Sequence, residues 1–213
     1  NALLATGKHR VRALTRRPES DQAKALAAKG AEVFKADLSN REDVKNALNG
    51  ADIAFIVTNF FDPSIFPNNI AKEERQDDGT SEFIIPIVKE DTTIEIIDAE
   101  TDTGAIVAKV IEEGPEKWNG KKIPFASERI SFGKIAEILT KVTGRQFKLR
   151  SPNREEAEKE FPALASEELF DMYRWFNKCG VLGKEFSDIS ITKDLHPNIN
   201  SFEQYAYKNW SNK

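Results

Sequence analysis

The chain has 213 residues, 39% of them hydrophobic and 31% charged, with a formal net charge of −4. This suits one sizeable domain, or a domain with a smaller lobe, and a well-solvated surface. It excludes a global basic field for nucleic acid or an anionic membrane and any bilayer-spanning apolar run, and the single cysteine, Cys179, excludes an internal disulfide.

Asn1 to Gly7 reads as the end of a helix with Gly7 as its C-terminal cap, so the chain is expected to be truncated; no signal peptide is visible. The next stretch alternates strand and helix in the βαβ manner. Val11 to Thr15 is a short strand, Ser20 to Lys29 an alanine-rich helix closed by Gly30, and Glu32 to Lys35 a second strand ending at Ala36-Asp37-Leu38. Ser39-Asn40-Arg41-Glu42 has the form of a capping box and opens a helix closing at Gly50. Ile53 to Val57 is a continuous apolar run, as expected of a strand buried on both faces of a parallel sheet.

The pattern breaks at Pro63 to Asp78. Phe66-Pro67-Asn68-Asn69 is a turn, and Lys72 to Gln76 a charged stub with too little apolar surface to stand alone. Asp77-Asp78-Gly79-Thr80 is a tight turn into a strand over Glu82 to Val88. Strands are also expected at Ile94 to Ile97, Lys122 to Phe125 and Phe147 to Arg150. Helices are expected at Thr101 to Glu113, after Ser131 as far as Gly144, near Arg154 to Glu160, at Ser166 to Lys178, and after the Ser201–Gln204 capping box. There is no internal repeat or low-complexity segment.

The most informative residues are Arg16 and Arg17, at the end of the first strand of the βαβ pattern. In a dinucleotide-binding α/β unit the tip of the second strand meets the adenosine ribose; an acidic residue there favours NAD, and arginine accommodates the 2′-phosphate of NADP. A planar guanidinium suits such a charge-assisted contact. An exposed pair with no ligand is the competing reading, and on spacing alone the better one. The basic residues around the pair (Lys8, Arg10, Arg12) are soon followed by acidic ones, so the charge is local.

Three stretches together resemble the NmrA-like family, atypical members of the short-chain dehydrogenase/reductase superfamily. These are Val11 to Pro18, then Gly30-Ala31-Glu32-Val33 with Ala36-Asp37-Leu38, and Phe55-Ile56-Val57-Thr58-Asn59-Phe60-Phe61-Asp62-Pro63. Later segments are similar to the same family: Ile97-Asp98 with Asp102-Thr103-Gly104, Pro115 to Lys121, Leu139 to Gly144, and Tyr173-Arg174-Trp175-Phe176. The resemblance implies a Rossmann-like parallel sheet, incomplete here, with a smaller C-terminal α+β lobe. It divides the chain into a partial NAD(P)-binding region, 1–76, and a substrate or partner region, 77–213, packed as one unit. It implies that Arg16, and with it Arg17, meets the 2′-phosphate and that Asp37 and Leu38 edge the adenine. For Asp37, capping the following helix is an equal alternative. Thr58, Asn59 and Phe60 would lie near the nicotinamide, with an aromatic plug over the sheet end as the bland reading.

Two family segments have no counterpart: the first strand with its G-x-x-G-x-x-G loop, and the strand–helix units between Gln76 and Asp77, which include the region where ordinary short-chain dehydrogenases carry Tyr-x-x-x-Lys. Tyr173, Tyr205 and Tyr207 are followed four residues on by Asn177, Asn209 and Ser211, so no Tyr-x-x-x-Lys exists. His9 and His196 are isolated, Cys179 reads as a packed thiol, and Gly180-x-x-Gly183 follows no strand and so is no phosphate loop. No catalytic or metal-binding residue is assigned.

The resulting expectation is a cytoplasmic, or also nuclear, NADP(H)-binding protein that senses redox state through a regulatory protein partner, with no membrane and no direct nucleic-acid contact. One rival is an NADP-dependent oxidoreductase related to isoflavone and quinone reductases. The other is a shortened remnant that binds no cofactor, because the missing central strand leaves a sheet edge open and the missing loop amides no longer hold the pyrophosphate.

Overall fold

The structure, a computed structural model, describes residues 1–56, 72–186 and 188–211. The chain divides into two compact units, Asn1–Asn59 and Phe60–Lys213.

The first unit opens with helix α1 (Ala2–Thr6), which ends on Gly7 in the left-handed conformation, as expected. Strand β1 (Arg12–Thr15) pairs in parallel with β2 (Glu32–Lys35), Arg12 opposite Glu32 and Thr15 opposite Lys35. Between them runs α2 (Asp21–Ala28), capped by the Ser20 hydroxyl, which accepts from Ala23 N–H. Helix α3 (Arg41–Leu48) follows β2. Its N-cap is Asn40, whose side-chain oxygen accepts from the N–H groups of Glu42 and Asp43 at 3.0 and 3.3 Å. The capping box expected of Ser39 therefore does not form, because the Ser39 hydroxyl is turned to the Asp37 carboxylate. At the other end of α3, Arg12 Nη1 donates to the carbonyls of Ala47 and Asn49 at 2.8 and 3.0 Å. This places a cation on the orphan acceptors of the helix C-terminus.

The apolar run after α3 departs from expectation. Ile53, Phe55 and Ile56 are 58%, 58% and 62% exposed and lie in no strand. An apolar run becomes a buried strand only where neighbouring strands take up its backbone groups and layers cover both faces. Among the described residues of this unit, β1 and β2 pair only with each other. Val57 lies outside the described residues, as does the turn expected at 66–69.

Among its described residues the second unit holds two sheets. In the first, β3 (Lys72–Arg75) and β4 (Ser81–Ile84) form an antiparallel hairpin, and β4 pairs in parallel with β7 (Phe147–Arg150). Lys72 to Gln76 is thus no isolated stub: a charged sequence serves as an edge strand because its partner supplies the backbone pairing. The turn works as expected, with Asp78 Oδ1 accepting from Thr80 N–H at 2.9 Å and Gly79 at a φ of 84°. Strand β4 stops before the predicted Val88, since Pro86 has no N–H and Ile87 takes a φ of 53°. Ile87 is held there by its N–H on Pro152 O and by Asn177 Nδ2 on its own carbonyl.

The second sheet pairs β5 (Thr93–Ile96) with β6 (Glu128–Ser131), antiparallel. The strand expected at Lys122 to Phe125 is absent: Pro124 has no N–H to donate, and its carbonyl is taken by the Thr192 hydroxyl. Helix α4 (Thr103–Glu113) ends at Gly114, and α5 (Pro115–Trp118) follows at once. Helix α6 (Phe132–Thr143) begins where β6 ends, with the Ser131 hydroxyl accepting from Lys134 N–H at 3.1 Å. Its buried stripe is Phe132, Ile135, Ala136, Ile138, Leu139 and Val142, and Gly144 closes it in the left-handed conformation. We expect Ser131→Ala to lower stability by about 1 kcal/mol, the usual worth of an N-cap hydroxyl, read as a shift of the urea midpoint at unchanged slope.

Helices α7 (Arg154–Glu160) and α8 (Glu167–Cys179) match expectation, as does α10 (Phe202–Trp210), whose Ser201–Gln204 capping box is complete. The stripe of α6 meets Phe147 of β7, Leu169, Phe170 and Tyr173 of α8 and Ala206 of α10 in one continuous core. Between α8 and α10 lies α9 (Ser190–Leu195). The chain is a mixed α/β protein with a parallel strand pair in its first unit and an α+β second unit.

Candidate functional site

In open α/β sheets, ligands bind beyond the carboxyl ends of parallel strands. In the first unit those ends carry Arg16 and Asp37. Beyond β1 the chain turns sharply: Thr15 Oγ1 accepts from Arg17 N–H at 3.1 Å, and Ser20 N–H donates to Arg17 O at 3.2 Å. The Thr15 side chain and one backbone bond thus hold the turn. Beyond β2, Ala36 N–H donates to Thr15 O at 3.0 Å and carries the pairing one residue further.

An open groove of about 670 Å³ lies here, lined by Arg16, Arg17, Pro18, Glu19, Ser20 and Lys35. Its volume is in the range of small-molecule sites. Three of the six lining residues are cations and one is a carboxylate, so the groove favours an anion. Asp37 stands beside it, and its Oδ1 accepts from Ser39 N–H at 2.9 Å and Ser39 Oγ at 2.7 Å. Those two bonds hold its carboxyl below the usual carboxylate range; burial opposes them, and the Arg16 guanidinium adds a smaller push in the same direction. Asp37 N–H in turn donates to Asp43 Oδ2 at 3.0 Å, tying the loop to α3. Leu38 is 56% exposed, its side chain open to solvent. Arg16, Arg17, Asp37 and Leu38 therefore share one end of the β1–β2 pair, whereas Thr58, Asn59 and Phe60 lie outside the described residues. Lys35 was not singled out from the sequence; the parallel register opposite Thr15 is the signal that locates it.

The second unit has a cavity of about 400 Å³ between the start of β5 and the end of α8, with Lys89, Thr92, Glu95, Arg129, Asn177 and Cys179 in its wall. It explains the Gly180-x-x-Gly183 segment. The loop amides do hold an anion, and it is internal: Glu95 Oε2 accepts from Val181 and Leu182 N–H at 2.8 and 3.1 Å, while Oε1 accepts from Arg129 Nε at 2.7 Å. A Cβ on Gly180 would sit 3.0 Å from that carboxylate, which accounts for glycine there.

Tyr173 is fully buried, and burial pushes its hydroxyl up to about 12. A tyrosine acid in carbonyl reduction needs the opposite shift. His196 is not isolated: its Nε2 lies 3.2 Å from Oδ1 of buried Asp102, whose Oδ2 accepts from Asn200 N–H at 3.1 Å. This cluster ties the start of α4 to the segment after α9. Among the described residues no group of three or more His, Cys, Asp or Glu could hold a metal, and no helix is long and apolar enough to cross a membrane.

Comparison with known proteins gives the family. The model of the NmrA-like family matches residues 1–67 and 63–211, nearly the whole chain. The chain belongs to the NmrA-like family. An oxidoreductase of Aspergillus versicolor, the NmrA-like family domain-containing protein notA′, is 43% identical over 68 residues, 32% of this chain and 19% of that protein. A solved structure of a double mutant of NmrA shares the fold, with a TM-score of 0.57 at 20% identity, covering 99% of this chain and 78% of that one. A structure of NmrA, a negative transcriptional regulator, in complex with NADP has a TM-score of 0.52 at 16% identity, covering 98% and 76%. The matches to curated relatives span between 18% and 58% of those proteins.

Proposed function

We propose that this chain binds NADP(H) at the carboxyl end of the β1–β2 pair and serves as a redox-sensing regulator, cofactor occupancy changing how it meets a protein partner. The observation that carries the reading is the cationic groove: Arg16 and Arg17 leave β1 into it on a turn held by the Thr15 hydroxyl and the Ser20 N–H. Arg16 meets the 2′-phosphate, Arg17 supports it, and Asp37 and Leu38 edge the adenine. The nicotinamide side falls to Thr58, Asn59 and Phe60. A cofactor that binds one conformation better shifts the population toward it without transferring a hydride. Support comes from the relative of this fold solved with NADP and described as a negative transcriptional regulator.

A second reading, an NADP-dependent oxidoreductase, is favoured by the name of the Aspergillus versicolor relative. The upward shift of Tyr173 speaks against that residue as its proton donor. Calorimetric titration with NADP and NAD, followed by NADPH turnover on a panel of quinones and carbonyls, separates the two. NADP is expected to bind at least about tenfold more tightly than NAD, on the scale of one charge-assisted contact, with no turnover above the protein-free rate. Equal affinities sink the cofactor assignment, and sustained turnover sinks the regulator.

A further inference from the structure

The groove holds a cation on β2 that the arginine pair does not explain. Lys35 ends β2 opposite Thr15, in the strand next to the one that delivers Arg16 and Arg17. Paired residues of adjacent strands project from the same face, so Lys35 leaves the pair on the Thr15 face and lines the groove with Arg16 and Arg17. Lys35 is exposed, lines the groove, and has no ion-pair or hydrogen-bond partner for its side chain among the described residues. Among the described lining residues Glu19 is the single carboxylate, and neighbouring Asp37 accepts from Ser39 N–H and Oγ.

From this we infer that Lys35 is a specificity-determining residue: the third cation of a clamp for the dianionic 2′-phosphate of an adenosine nucleotide, which it closes from the β2 side. The inference rests on the NADP reading above and adds the residue that makes the groove prefer a dianion. A phosphate monoester carries about −1.5 to −2 charges at pH 7, against none on a ribose 2′-hydroxyl. Arg16 and Arg17 offer planar forks from one side, and an ammonium on a flexible stem supplies a point charge from the other. A dianion is attracted to the Lys35 ammonium and a neutral ribose is not, so Lys35 acts on selectivity more than on overall affinity.

The test is calorimetric titration of the 213-residue chain with 2′,5′-ADP and with 5′-AMP, which differ only in the 2′-phosphate. Lys35→Ala is expected to weaken 2′,5′-ADP about five- to tenfold, the scale of one charged contact at a solvated site, and to leave 5′-AMP within about twofold. Lys35→Glu is expected to weaken 2′,5′-ADP further, and Lys35→Arg to keep most of the preference. Lys45→Ala, which removes an equal charge on α3 outside the groove lining, controls for net charge and should change neither ligand. If the wild-type chain binds both ligands equally, the NADP reading fails and the clamp fails with it. If the wild type prefers 2′,5′-ADP and Lys35→Ala keeps that preference in full, the NADP reading stands and the role of Lys35 is overturned. Because Lys35 is exposed at a strand end, an unchanged circular dichroism spectrum is expected of all three variants.

Discussion

Replacing Arg16 and Arg17 together by glutamate is expected to turn a preference for NADP into a preference for NAD. In nucleotide-binding units an acidic side chain at this strand end accepts from the ribose hydroxyls, and it repels a 2′-phosphate. A hydrogen bond to a charged group contributes about 1.5–3 kcal/mol, so losing two of them, about 3–6 kcal/mol, changes the affinity ratio by roughly a hundredfold to ten-thousandfold. The fold should tolerate the change. Arg17 enters the turn through its N–H and its carbonyl, which glutamate keeps, and Thr15 and Ser20 supply the partners. Asp37 stays low in pKa, because its first causes are the two bonds from Ser39 and Arg16 is a minor one. Titration of the double variant with both cofactors checks this. A ratio equal to that of the wild type would remove the arginine pair from the site.

Much of this architecture was legible because its signals are local. Ser131 and Gly144 bracket α6 around a stripe at helical spacing, and the Ser201–Gln204 box opens α10 where expected. The ends of β1 and β2 were placed by alternation of strand and helix, which put Arg16 and Asp37 together. Failures came where an element depends on partners distant in sequence. Ile53 to Ile56 has the composition of a buried strand and finds no pairing among the described residues. Lys72 to Arg75 lacks an apolar face and still forms a strand, since β4 completes it. Asn40 took the cap from Ser39 because two side chains compete within two residues, and Asp37 engages the serine. The tie between Glu95 and the Gly180–Gly183 loop crosses more than eighty residues and leaves no local trace.

That tie is where the second large effect is expected. Glu95→Ala should destabilise the second unit by about 3 kcal/mol, in the range for breaking one side of a buried charge pair. The Glu95 side chain is 2% exposed and its partner Arg129 is 37% exposed, so part of the loss is recovered as water returns to the guanidinium. The amides of Val181 and Leu182 lose their acceptor too, because each donates to Glu95 Oε2. The loop opens first, and hydrogen exchange at those two amides should rise by more than the global change explains. The sign with pH is fixed by the same contacts. Burial pushes the Glu95 carboxyl up, but the Leu182 amide, Arg129 and the Val181 amide outweigh it, and the pKa falls below its ordinary 4.5. A depressed carboxyl stabilises the fold above its unfolded pKa and loses that contribution as pH falls through the folded one. Wild-type stability should therefore drop below about pH 4.5 by more than that of Glu95→Gln, which keeps the shape and cannot ionise. Equal acid sensitivity of the two proteins, or unchanged exchange at Val181 and Leu182 in Glu95→Ala, would show that the carboxylate is not what holds the loop.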